Sequence, residues 1–540
     1  MNRPYKHLSE LIALFQLTCE EDPIVTSIET DSRQVTTGSL FICVRGYTVD
    51  GHQYAREATE NGAVAILAEE PLEGMTVPVI VLSNTKQAAG QIADLFYDHP
   101  SRRLRVYGIT GTNGKTTTTK LTYDLFRSAG HKAGMISTVG AMIDGEIIDT
   151  PNTTPEAVIL HRLLHQMVEQ GVTDCVLEVS SHALMEGRVE GVQFHAAAFT
   201  NLTHDHLDYH ASMEEYAEAK ALLFEQVATS GGKAVVLNEA DPTSALMAKA
   251  ANGVPVLWYA TEEASDAPIA VEWQEETVRV RLDETVTEVP VFLLGDFNAA
   301  NLAAAIGLIR AGEVNMYQLI RHIPELRLPK GRLERIPFEG CEIYIDYAHT
   351  PDGLEKCLKA LSVPDEPLYV VLSAAGERDR SKRSIMGRIA SQYCEGIIVT
   401  VHDTRREEPQ QIIKELIKEI PPRKIITCHE TRKEALQIAA KIALTGKRVI
   451  IVGKGHERFE RIGTEDVPFD ETKILMEALK PFIRTRVSDV KKPTDPGIMV
   501  GFVFLLMSGL FSYWQNEISS NLVDVLVHIV IAVKQPLDRL

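Results

Sequence analysis

Thr110-Gly111-Thr112-Asn113-Gly114-Lys115-Thr116-Thr117 stands between a buried-type strand pattern, Leu104 to Thr110, and a helical pattern from about Thr116 to Ala129. A glycine-rich turn at a strand-to-helix junction is a phosphate cradle. Backbone amides wrap anionic oxygens, the lysine neutralises the outer phosphates, and the hydroxyl after it can ligate magnesium. Gly111, Thr112, Asn113, Gly114, Lys115, Thr116 and Thr117 are therefore the first candidate ATP ligands. A strict P-loop carries glycine five positions before its second glycine; here that position is Ile109, which narrows the kind of nucleotide enzyme.

Upstream of this turn, short β-rich runs (Gly38 to Val44, Val64 to Ala68, Val77 to Leu82) alternate with helical patterns (Tyr54 to Asn61, Lys86 to Tyr97), which reads as a small α/β domain over 1–100. The polar break Pro100-Ser101-Arg102-Arg103 opens a second domain, 101–332, with further alternation and a polar β-excursion around Ile269 to Phe292. A third, 333–485, carries the strand patterns Glu342 to Asp346, Leu368 to Ser373, Gly396 to Val401, Lys424 to Cys428 and Arg448 to Val452. Apolar, β-branched strands separated by helices point to a doubly wound parallel sheet, with ligands at the carboxyl ends of its strands. The expected fold is α/β in three domains: a first small one, a central P-loop ATPase domain with a mostly parallel sheet, and a C-terminal Rossmann-like domain.

With 540 residues, 45% of them hydrophobic, the chain has material for three separate cores. A formal net charge of -19 argues against broad adhesion to nucleic acid, which needs a net basic face. Seven scattered cysteines without a CxxC pair read as reduced, mostly buried thiols. The acidic, amphipathic segment Met1 to Thr26 has no secretory pattern, so a cytoplasmic location is expected. The tail, 486–540, is atypical. Ile498 to Trp514 is an apolar run of 17 residues, at the lower limit for crossing a bilayer, with Lys491 and Lys492 before it. Membrane contact is expected only through that run, and its Ser and Gly interruptions favour a packed or poorly folded tail.

A second concentration of chemistry is Asn201-Leu202-Thr203-His204-Asp205-His206-Leu207-Asp208-Tyr209-His210, shortly after a strand pattern that ends in Glu178 and is followed by Ser180, Ser181 and His182. Such density of His and Asp is compatible with a hydrolytic zinc site. Beside a P-loop it fits better with magnesium bridging ATP phosphates, which prefers oxygen ligands.

The order of these strings resembles the Mur ligase family, nearest to its MurE-type branch that makes UDP-N-acetylmuramoyl tripeptides. The resemblance rests on Thr110 to Thr117, Asn152-Thr153-Thr154-Pro155, Glu178-Val-Ser-Ser-His182, Asn201 to His210 and Tyr216-Ala-Glu-Ala-Lys220. Asp31-Ser32-Arg33, Gly46 to His52, Asp346-Tyr-Ala-His-Thr-Pro351, Arg378-Asp379, Lys382-Arg383 and Gly453-Lys-Gly-His-Glu457 support it. It covers roughly residues 20 to 480.

The resemblance implies an ATP-dependent amide ligase of peptidoglycan precursor synthesis, which moves the γ-phosphoryl of ATP onto a substrate carboxylate and lets an amine attack the acyl phosphate. It implies Lys115, Glu178, His206 and Lys220 as catalytic. Thr116, Glu178, His206 and a carbamylated Lys220 would hold Mg2+. From spacing alone Lys220 also fits a solvated position on the helix Glu214 to Gln226. Asn298, Asn301, Arg332, Asp346 and His349 would complete the ATP site, although Asp296 stands where the family usually shows arginine. Ser32, Gly51, His52, Asn152, Thr153, Thr154, Ser180 and Arg188 would hold the UDP-muramoyl dipeptide.

The amino-acid site is implied at Arg383, Asp403, Arg405, Gly453 and Glu457. Branch members that add meso-diaminopimelate show Asp-Asn-Pro-Arg where this chain has His402-Asp403-Thr404-Arg405; the arginine is kept, and two arginines can still clamp a carboxylate. Diaminopimelate is the expected free amino acid. The departures fit equally a paralogue with another amino acid or acceptor, and Arg405 alone also reads as a surface residue in a charged run. A folylpolyglutamate-type ligase is disfavoured by the Gly46 to His52 and Asn152 to Pro155 strings. A nucleotide-binding scaffold tethered by the tail is disfavoured by Glu178, His206 and Lys220 together.

Overall fold

The computed structural model describes residues 4–489 except 47–48, 151, 208, 263–264, 275 and 339. Three larger sheets follow one another in the compact unit that ends at Leu475, beside two two-stranded ones. In the first, Ser27–Glu29, Ser39–Ile42, Ala63–Ala68 and Val79–Val81 lie side by side and parallel. The helix Thr85–Phe96 starts at Asn84, whose side chain accepts the Gln87 amide, and turns its alanine face onto that sheet.

The second sheet has eleven strands. Its parallel centre is Ala133–Ser137, Asp174–Glu178, Arg105–Thr110, Phe194–Phe199, Ala234–Asn238 and Val256–Ala260, in that spatial order. These segments are nearly continuous apolar runs because both faces are covered. The expected β-excursion at Ile269 to Phe292 is β-structure and extends this sheet. Ile269–Gln274 pairs parallel with the centre, and Thr277–Leu282 and Thr285–Pro290 continue the same sheet antiparallel. The polar residues that suggested an excursion alternate with Val278, Val280 and Leu282, which are buried in the same core as the helix Phe297–Ala311.

In the third sheet a short antiparallel edge, Glu334–Arg335, precedes five parallel strands in the order Glu342–Asp346, Arg448–Val452, Leu368–Ala375, Gly396–His402 and Ile425–Cys428. The helix Pro351–Leu361 has proline at its first turn, and the Thr350 hydroxyl accepts the Gly353 amide. Of the seven free cysteines five are buried, Cys19 is half-buried and Cys428 exposed. No helix among the described residues is long and apolar enough to cross a membrane. The apolar run Ile498 to Trp514 lies outside the described residues.

Candidate active site

Sheet register brings the phosphate cradle and the acid together. Asp174–Glu178 runs beside Arg105–Thr110 with Glu178 opposite Ile109, and Phe199 is opposite Thr110, so the segment after Phe199 comes up against the turn. Gly114 caps the helix Lys115–Ser128 with φ 85°, and a Cβ there would stand 2.2 Å from Asn301 Oδ1. Four consecutive threonines, Thr116 to Thr119, are indifferent helix formers; burial of all four holds the first turn. Lys115 Nζ donates to Gly111 O at 3.0 Å and Thr112 O at 2.9 Å, closing the loop on itself.

Glu178 is the hub beside it. Its carboxylate accepts the Thr116 hydroxyl at 3.0 and 3.1 Å, and the amide and hydroxyl of Thr138 at 3.1 Å each. Arg332 Nη2 donates to Thr116 Oγ1 at 3.2 Å while its guanidinium lies 4.5 Å over the Tyr347 ring. A hydroxyl, a carboxylate and a cation thus meet at the start of the helix.

Lys220 settles the choice between solvated and inward. The helix Met213–Thr229 begins at Ser212, whose hydroxyl accepts the Glu215 amide, with Glu214 and Glu215 in the first turn. Tyr216, Lys220, Leu223 and Val227 share its buried face, and Lys220 is 1% exposed. Its Nζ donates to Gly111 O at 2.9 Å and lies 4.2 Å from the Tyr216 ring centroid. Burial, reinforced by Lys115, holds the amine well below the usual lysine range. His206 is 5.8 Å from the same tyrosine ring, and burial pushes it down to about 2, against the pull of Asp205. Among the described residues no three His, Cys, Asp or Glu side chains are grouped as a zinc site would require.

The groups expected on the nucleotide side come from the helix Phe297–Ala311, the end of the strand Glu342–Asp346 and the segment after it. Asn301 Nδ2 donates to Asn298 Oδ1 at 2.8 Å and Asn301 Oδ1 accepts Thr118 Oγ1 at 3.3 Å. Asp346 spends its carboxylate on the amides of Leu333 and Ala348, both at 2.7 Å. His349 and Lys382 approach Asp205 at 3.7 and 3.5 Å. Asn113 of the cradle donates to Asp352 at 2.7 Å.

These groups line one cleft of about 390 Å³, which takes in Thr112 to Thr117, Asn152, Thr153, Glu178, Ser180, Arg188, His206, Asn298, Asn301, Arg332, Asp346 and His349. Gly111 and Lys220, bonded to each other, do not line it. A second cleft, about 1010 Å³, has Ser32 and Gly51 on its wall, and His182, Arg188 and Arg378 border both. His52 is turned inward: its Nδ1 meets Asp50 at 2.6 Å and its Nε2 accepts the Glu69 amide at 2.9 Å, so it shapes the wall. Thr154 is buried, its hydroxyl bonded to Glu178 O and the Ser180 amide.

The five residues of the implied amino-acid site line neither cleft. Arg383, expected as a carboxylate clamp, is fully buried and spends its fork on Glu407 at 2.7 and 2.8 Å and Glu415 at 2.7 Å. Asp403 accepts Lys454 Nζ at 3.0 and 3.1 Å, and Glu457 accepts the same lysine at 2.8 Å. Arg405 Nη1 donates to Gly376 O at 2.8 Å. Gly453 N donates to Asp346 O at 3.1 Å, tying this region to the nucleotide side. Sequence reading passed over Lys454, although it lies within the Gly453 to Glu457 string, and also Thr138 and Tyr347. Tyr347 likewise lies within the Asp346 to Pro351 string, whereas Thr138 lies in none of the strings.

Three family models cover the chain: "Mur ligase family, catalytic domain" at 24–97, "Mur ligase middle domain" at 109–309 and "Mur ligase, glutamate ligase domain" at 331–455. The UDP-N-acetylmuramoyl-L-alanyl-D-glutamate--2,6-diaminopimelate ligase of Bacillus licheniformis is 40% identical over 474 residues, 85% of this chain and 96% of the relative. That of Geobacillus thermodenitrificans is 39% identical over 472 residues, again 85% and 96%. A solved structure of a ligase of that name superposes with TM-score 0.62 and 30% identity, over 88% of this chain and all of the other.

Proposed function

The chain belongs to the Mur ligase family and is an ATP-dependent ligase; from that premise we propose that it joins meso-diaminopimelate to UDP-N-acetylmuramoyl-L-alanyl-D-glutamate in the cytoplasm. The observation that carries this reading is the pair of clefts sharing His182, Arg188 and Arg378, one at the phosphate cradle and one beside Ser32 and Gly51. A long nucleotide-linked substrate laid through the second reaches the first with its terminal carboxylate.

There the γ-phosphoryl of ATP passes to that carboxylate, giving an acyl phosphate and ADP. The amine of the amino acid then attacks the acyl carbon, loses a proton and expels phosphate. Lys115 and Arg332 offset the charge on the transferring group, which is mainly a matter of positioning and electrostatics. Magnesium, when bound, would neutralise phosphate oxygens, and Thr116, Glu178, His206 and carbamylated Lys220 are the residues to hold it. Their chemistry fits. A hydroxyl and a carboxylate already in contact are hard oxygen donors, and burial leaves His206 uncharged. An uncharged Lys220 amine is the form that adds carbon dioxide, which would replace a repelling cation by an anion.

The amino-acid end has two signs of charge. Arg405 lies near Arg378 and Arg461, and Asp403 and Glu457 together outnumber Lys454. A distal head with both a carboxylate and an ammonium, as in diaminopimelate, matches that pattern. The test is phosphate release with ATP, magnesium and the UDP-muramoyl dipeptide, offering diaminopimelate, lysine and other amino acids in turn. Diaminopimelate-dependent release is expected; release with another amino acid alone would reassign the pocket, and none with any would overturn the ligation.

A further inference from the structure

Thr138 and Val139 form the two-residue turn between the strands Ala133–Ser137 and Gly140–Ile143, in which Ser137 pairs with Gly140. Such turns favour asparagine, aspartate and glycine, so turn geometry does not account for a threonine there. Its neighbours do. Ala133–Ser137 runs parallel to Asp174–Glu178 with Ile136 opposite Leu177, which brings the turn level with Glu178. The Thr138 amide donates to Glu178 Oε2 at 3.1 Å, and the Thr138 carbonyl accepts His456 Nε2, from the segment after the strand Arg448–Val452, at 3.2 Å. With the backbone held on both sides, the hydroxyl is the part left to turn.

That hydroxyl stands 3.1 Å from Glu178 Oε2 and 3.0 Å from Thr153 Oγ1, and either oxygen can accept it. It has a single proton to give. Glu178 Oε2 is already crowded, because the Thr116 hydroxyl and the Thr138 amide also donate to it, while Thr153 lines the first cleft. We propose that Thr138 is a positioning residue that couples the metal side of the site to the substrate side through this contested proton. A cation on Glu178 draws on the lone pairs that hold the Thr138 hydroxyl, which then turns to Thr153. Thr153, its own oxygen satisfied, is left to donate to an oxygen of the muramoyl dipeptide. Magnesium nucleotide and dipeptide thereby favour one another, and by linkage the effect is mutual. The inference rests on the ligase reading above and deepens it.

Calorimetric titration of the intact chain with the UDP-muramoyl dipeptide, with and without magnesium and a non-hydrolysable ATP analogue, tests it. No amino acid is added, so nothing turns over. In the wild type the magnesium nucleotide is expected to tighten dipeptide binding at least about fivefold, the scale of one hydrogen bond. Thr138→Val is expected to lower that ratio about fivefold, and Thr138→Ser to keep it. Thr153→Val should lower it as much, and the double variant no more than either alone, since the two act as one unit. A merely structural role would weaken both titrations together and leave the ratio where it was. Thr138→Ala stands in if the valine variant does not fold. No tightening in the wild type, an unchanged ratio without the Thr138 hydroxyl, or a ratio lost in Thr138→Ser overturns the proposal. If the wild type binds no dipeptide under either condition, the ligase reading itself falls.

Discussion

Lys115 and Lys220 donate to one and the same carbonyl, Gly111 O, at 3.0 and 2.9 Å. Two ammonium groups on one acceptor inside a buried site are mutually repulsive, and Lys220, on an apolar helix face, is the one that yields its proton more readily. The role proposed for Lys220 and the stability of the fold then oppose each other at this residue. Lys220→Met is expected to abolish ligation by about a hundredfold or more while leaving the melting temperature unchanged or higher, because a buried polar group is replaced by an apolar one of similar length. A lower melting temperature would mean that the amine is structural. Lys115→Ala is expected to cut kcat by about two to three orders of magnitude, read as single-turnover phosphate release at saturating substrates.

The element that departs furthest from its sequence reading is the helix Ser381–Tyr393. Arg383 looked like a substrate clamp, yet its guanidinium braces this helix to the helix Pro409–Leu416 and to the loop carrying Glu407. Arg383→Met would remove the guanidinium shared by Glu407 and Glu415, which keep the Glu377 amide and Arg380 with Gln411 as donors, and is expected to cost about 1–3 kcal/mol in urea unfolding. The same brace carries a pH dependence. Hydrogen bonds from Arg380 first, then Gln411 and Arg383, hold Glu415 down to about 2, against burial. A carboxyl depressed in the fold contributes stability above its unfolded value, near the usual 4.5, and that contribution is lost as pH falls from there towards 2. Glu415→Gln is expected to flatten the stability profile over that window and nowhere above it.

On the scale of the molecule, three sheets are tied together around the clefts. Lys86 with Glu186 and Arg162 with Glu29 join the first sheet's region to the second at 3.2 and 2.9 Å. Asn113 with Asp352, Arg332 with Thr116 and His456 with Thr138 O join the second to the third at 2.7, 3.2 and 3.2 Å. The connection at Gly331 has no room: φ is 68° and a Cβ would lie 2.2 Å from His456 N. Gly331→Ala should push Arg332 and the Gly453 to Glu457 string apart, with a loss of about tenfold or more in kcat and a small change in melting temperature. An unaffected kcat would show that the two need not stay in register.

The strands and helices around the phosphate cradle and the three successive α/β regions were legible in the sequence, whereas Asn298, Asn301, Arg332, Asp346 and His349 entered only through the resemblance. Burial on both faces writes a parallel sheet as apolar runs, and phosphate chemistry demands a glycine-rich turn at a helix start. The density of acids and histidines made Glu178 and His206 candidates, and the resemblance to the Mur ligases added Lys220. Only the tertiary structure decided which way the long side chains turn. Lys220 faces inward because Tyr216, Leu223 and Val227 place that side of the helix in the core. Arg383, Asp403 and His52 engage the protein itself because partners from distant segments, Glu415, Lys454 and Glu69, happen to lie within hydrogen-bond reach. Such pairings between remote positions leave no periodicity in a single chain, since they depend on how sheets and hairpins are brought side by side and not on local order.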